Sequence, residues 1–145
     1  MNPDTKPGTK PDTLARGILE SLTDEELVLA VPHTEYKLHL VPTVPAAEFN
    51  KYVGKRIRGV IEAVALRIHP ARGGGCFIEP IWGAPRIIAA TVCSVDEAGR
   101  RVLVDAGVPM WVTAPEGQDL SELHEGQLVN FYVQSGTSFR PVLSS

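Results

Sequence analysis

His69-Pro-Ala-Arg72-Gly-Gly-Gly-Cys76-Phe-Ile-Glu79-Pro-Ile-Trp82-Gly-Ala-Pro85-Arg86 interrupts an otherwise strand-patterned chain at its midpoint. Successive glycines and scattered prolines cannot sustain a helix or the interior of a sheet. On either side the same succession of apolar patterns occurs. Residues 71–84 are therefore read as a connector between two copies of one small β-structure. Phe77, Ile78, Ile81 and Trp82 are expected to pack between the copies, with Trp82 fixing how they face each other.

Working back from the connector, residues 1–13 are polar and interrupted by prolines, which predicts a flexible tail. Residues 14–70 form the first copy. Gly17–Leu22 alternates, Thr23-Asp-Glu-Glu26 turns, and Leu27–Val31 is a continuous apolar run, together a hairpin pattern. Tyr36–Val41 alternates again and ends at Pro42 and Pro45. Ala46–Val53 predicts a short helix stopped by Gly54. Lys55–Ala63 and Val64–His69 read as two strands. The alternation slips between them, so a bulge or tight turn is expected near Ala63 and Val64, with Leu66 and Ile68 inward.

Forward of the connector, residues 85–145 repeat this order. Strands are predicted at Pro85–Val95, Arg101–Asp105 and Met110–Thr113, then a short helix at Asp119–Glu125 stopped by Gly126. Gln127–Gln134 and Thr137–Leu143 supply two more strands. Placing Gly54 on Gly126 aligns the halves as a repeat of about 72 residues, too long for a solenoid unit and suited to a small barrel. The expected fold is all-β with minor α: two tandem five-stranded OB-like barrels, each with a short helix between strands three and four. An SH3-like barrel is the competing architecture.

The second copy resembles the OB-type modules of RNA-binding ribosomal proteins. The resemblance lies in Val102-Leu-Val-Asp-Ala-Gly107 and in Leu120-x-x-Leu123-x-x-Gly126-Gln-Leu-Val129. It implies binding through aromatic and basic residues on strands two and three. That surface here offers Trp111 and almost no positive charge.

Composition bounds the function. A net charge of −3 opposes an overall cationic nucleic-acid binder. Cys76 and Cys93 lack the spacing of a disulfide framework or zinc site, so no metal and no cofactor is expected. No apolar run approaches the ~18 residues that cross a bilayer, and a cytoplasmic protein is expected.

Charge is nevertheless polarised. Residues 33–72 carry seven Lys and Arg against three Glu, whereas residues 85–145 carry four basic and seven acidic side chains. The candidate basic face comprises Lys37, His39, Arg56, Arg58, Arg67, His69 and Arg72. Phe77, Trp82, Trp111, Leu128 and Tyr132 are the candidate anchors between barrels or at an interface. Three functions follow. The first is a non-enzymatic module binding a protein partner or itself. The second is a single-stranded nucleic-acid binder using the basic face. The third is a small enzyme centred on Cys76 with His69 and Glu79. Gly73-Gly-Gly75 is expected to be a hairpin or linker rather than an anion nest, lacking the Lys-Ser/Thr of a phosphate loop.

Overall fold

In a computed structural model that describes residues 13–143, the chain is all-β. The expected tail, Thr13 apart, lies outside the described residues. Eleven strands form one mixed sheet: β1 (Ala15–Leu22), β2 (Leu27–Ala30), β3 (Lys37–Pro42), β4 (Arg56–Pro70), β5 (Phe77–Glu79), β6 (Trp82–Gly83), β7 (Ile87–Asp96), β8 (Arg101–Asp105), β9 (Pro109–Thr113), β10 (Leu128–Val133) and β11 (Ser138–Pro141).

The predicted helices do not form as α-helix. Short 3-10 turns stand in their place, at Ala46–Glu48 and Asn50–Tyr52 in the first half and Leu120–Glu122 in the second. Each segment is too short to offset helix nucleation, and its role is to pass from β3 to β4 or from β9 to β10. Gly54 and Gly126 follow them, just before β4 and β10, with the same left-handed φ of 84°, which a side chain would strain. Their N–H groups donate to Leu19 and Val92 carbonyls at 2.6 and 2.8 Å.

Hydrogen-bonded neighbours close into two circuits that share β4. In the first, β1 pairs β2, β2 pairs β3, β3 runs parallel to β11, β11 pairs β4, and β4 returns to β1. In the second, β7 pairs β8, β8 pairs β9, β9 runs parallel to β4, β4 pairs β10, and β10 returns to β7. The registers match. Arg16–Arg58 and Ile18–Arg56 in β1–β4 stand as Ala89–Asn130 and Thr91–Leu128 do in β7–β10. Even the bulges coincide, at Glu20 between Leu19 and Ser21 and at Cys93 between Val92 and Ser94.

Each half lends a strand to the other's circuit. The first half of β4 pairs with β1 and β11, while its second half pairs with β9 and β10. β11, from the C-terminal half, completes the N-terminal circuit. The two strands expected at Lys55–Ala63 and Val64–His69 are instead one, with no turn near Ala63 and Val64: β4 runs from one circuit into the other. The bulge falls at Leu66, later than the alternation suggests: Tyr132 opposes Arg67 and Val133 opposes Ala65. Leu66 consequently faces outward and Ile68 inward.

The connector is not a bare linker. β5 pairs with β7 and β6 pairs with β3, so it is stitched to both halves. One buried cluster runs through the molecule, from Leu19, Leu38 and Phe139 to Val104, Phe131 and Ile88.

Candidate functional site

The registers divide the sequence-derived residues: Lys37 shares the outward row Lys37, Ala30, Ile18, Arg56 with the β1–β4 arginines, whereas Arg67 and His69 lie on the second half of β4. Lys37 and His39 lie on β3, where Lys37 Nζ pairs with Glu20 at 3.2 Å and His39 Nδ1 lies 3.2 Å from Glu26. That β2–β3 surface is locally neutralised. Arg72 follows β4 in an exposed turn.

Arg67 and His69 stand on the second half of β4, beside residues expected as anchors. Directly paired residues point to one side of a sheet. One row therefore reads Glu79, Ile87, Tyr132, Arg67, and the next Phe77, Ala89, Asn130, His69. Between them the row Ile78, Ile88, Phe131, Ile68 points inward and is at most 1% exposed. The outer surface of β5, β7, β10 and β4 thus exposes Tyr132 (58%), Leu66 (55%), Val64 and Phe77. Leu128, opposite Thr91, extends it and is half-buried.

The equivalent surface of the first half has different chemistry. Arg16 and Arg58 are directly opposite cross-strand neighbours, and Arg56 sits opposite Ile18. They line a groove of about 860 Å³ with His33, Tyr52, Val142 and Leu143. His33 adopts a left-handed φ of 62°. Where the first half has Arg56 and Arg58, the second has Leu128 and Asn130.

Trp82 does not pack between the halves. It is 67% exposed, its indole N–H donates to the Glu35 carbonyl at 2.9 Å, and Lys37 Nζ lies 5.7 Å from its ring centre. β6 is a two-residue strand beside β3, and most of the ring stays in solvent. Phe77 and Ile81 are likewise exposed, and of the four connector residues only Ile78 is buried. Tyr36 does what Trp82 was expected to do: its hydroxyl accepts from Ile78 N–H at 3.1 Å, and its ring lies against Gly107 of the other half. Trp111 is half-buried under the Arg101 guanidinium, 4.1 Å from its ring centre.

The Cys76 arrangement does not assemble. Cys76 Sγ lies 3.5 Å from Thr91 Oγ1. His69 on β4 and Glu79 on β5 belong to different rows, three strand spacings or about 14 Å apart. Burial pushes the Cys93 thiol above its ordinary pKa, and the Asp105 charge adds to the shift. Among the described residues no group of three or more His, Cys, Asp or Glu could hold a metal ion, and no helix is long and apolar enough to cross a membrane.

Gln118 escaped the sequence reading. Its buried amide accepts from Ile68 N–H at 3.0 Å and donates to the Ile68 carbonyl at 2.7 Å, pairing with β4 beyond the end of β9. Arg100 holds the Gln118 loop by donating to the Pro115 and Gln118 carbonyls. A lone Gln in a polar loop carries no sequence signal for that role.

No family model, curated protein or solved structure matches this chain.

Proposed function

We propose that the chain is a non-enzymatic binding module: two OB-type barrels that exchange their fifth strands and hold a protein partner on the outer face of β5, β7, β10 and β4. The order of each circuit, with its third and fifth strands parallel, supports an OB-type over an SH3-like barrel. Matching registers and bulges support duplication of one unit.

One observation carries the functional reading. Tyr132, Leu66, Val64 and Phe77 are exposed on a sheet whose inward row is already buried. The fold does not need apolar groups there. Tyr and Phe beside Arg is the composition of an interface centre, and Arg67 and His69 suit a partner with an acidic rim.

Because these side chains are exposed, substituting them should leave the fold intact. A photocrosslinking residue at position 132 should give a discrete protein adduct in cells of the natural source, and Leu66→Glu should abolish it. Sedimentation of the purified chain shows whether that partner is a second copy. Adducts no different from those of a crosslinker at Glu25, exposed in the β1–β2 turn of the other half, would reject the reading.

A further inference from the structure

The outer row Glu79, Ile87, Tyr132, Arg67 reads acid, apolar, apolar, base from β5 across to β4. Its ends stand three strand spacings apart, about 14 Å. Both end residues are exposed, and among the described residues neither has an ion-pair partner. Such a row is complementary to itself. A two-fold axis running along the strands, midway between β7 and β10, turns a second copy face down and exchanges the two sides of the sheet. Glu79 of each copy then lies over Arg67 of the other, and Ile87 over Tyr132.

The same operation keeps the rows in register. In the next row Phe77 comes over His69, and Ala89 over Asn130. The β4 side, with exposed Leu66 and Val64, is covered by the β5 side, with exposed Phe77. Strands that meet within about 30° of each other are an ordinary packing of two sheets. A two-fold lying along the row itself would keep β5 over β5 and β4 over β4. Like charges would then face each other, which costs affinity. Charge therefore selects one of the two orientations.

We infer that the protein partner of this face is a second copy of the chain, paired about the axis along the strands. The inference rests on the binding-face reading above and narrows it to one occupant. Four strands about 4.8 Å apart, over three rows about 7 Å apart, present roughly 400 Å² of sheet. That is half the ~800 Å² per partner of a standard stable interface, so the dimer forms at high concentration and dissociates on dilution.

Sedimentation equilibrium of the full chain, over a concentration series at low and moderate salt, tests the pairing. Wild type should dimerise, more weakly at higher salt. Arg67→Glu and Glu79→Arg should each weaken the dimer about tenfold or more, because the symmetry sets two like-charged pairs face to face. Mixing these two variants should restore it, since one chain then offers two acids and the other two bases. Should either variant lose its cooperative melt, Arg67→Gln and Glu79→Gln decide, each weakening the dimer several-fold. A chain that stays monomeric up to about 1 mM overturns the inference. So do charge reversals that leave the dimer unchanged, or whose mixture stays monomeric. A discrete adduct from position 132 to a different protein, with the chain itself monomeric, overturns this pairing and leaves the binding-face reading standing. Adducts no different from those at Glu25 reject both.

Discussion

At the scale of single residues, two side chains reveal how closely the halves are fitted. A Cβ at Gly59 would meet the Arg140 carbonyl and the Phe139 ring at 2.5 Å, so glycine there lets Phe139 lie inside the first circuit. In the second circuit Phe131 takes the matching register. Phe139 and Phe131 are thus buried from different strands, β11 and β10. Gln118 is the other case. Replacing it with Leu leaves the Ile68 N–H and carbonyl buried without their amide partner. Each costs about 1–3 kcal/mol, so Gln118→Leu should lower stability by roughly 2–6 kcal/mol. Thermal melting should show a drop of about 5–20 °C. An unchanged melt would mean the loop contributes nothing to β4.

Among elements, the turns carry the clearest electrostatics. Asp96 closes the β7–β8 hairpin by accepting from Gly99 N–H and pairing with Arg101, and Asp119 accepts from Ser121 N–H at the 3-10 turn. These contacts hold both carboxyls below their ordinary pKa, the backbone bond being the larger cause in each. A depressed folded value means the stabilisation is present above the unfolded value near 3.9 and is lost as pH falls from there through the lower folded value. Asp96→Asn should therefore flatten the decline in melting temperature between about pH 5 and pH 3. A decline identical to wild type would remove Asp96 from the account. The edge element β6 behaves differently. With Trp82 two-thirds exposed, it contributes a hydrogen bond and a cation–ring contact, not a core anchor.

For the whole molecule, the exchange of strands makes the halves interdependent. Residues 13–75 include the second half of β4, which belongs in the circuit of the other half, and lack β11. Residues 76–145 include β11 and lack the β4 segment that β9 and β10 require. Expressed apart, neither should melt cooperatively as a monomer. Mixed in equal amounts, they should form a 1:1 complex with the near-ultraviolet dichroism of the intact chain. A stable monomer from either fragment would contradict the shared circuits.

Much of this was legible in the residues. Alternation in Gly17–Leu22, Tyr36–Val41 and Gln127–Gln134 marked strands and their inward faces, and Gly54 and Gly126 marked matching turns. Those signals are local: a two-residue period and a left-handed φ act within a few positions. Tertiary structure decided which circuit each strand joins. Leu66 faces outward because the bulge is set by pairing with β10, and Arg67 meets Tyr132 because β4 crosses between the halves. Alternation shows which side of a strand is buried and is silent about its neighbours. Backbone hydrogen bonds are alike for every strand, and the partner is chosen only when the whole chain closes its core.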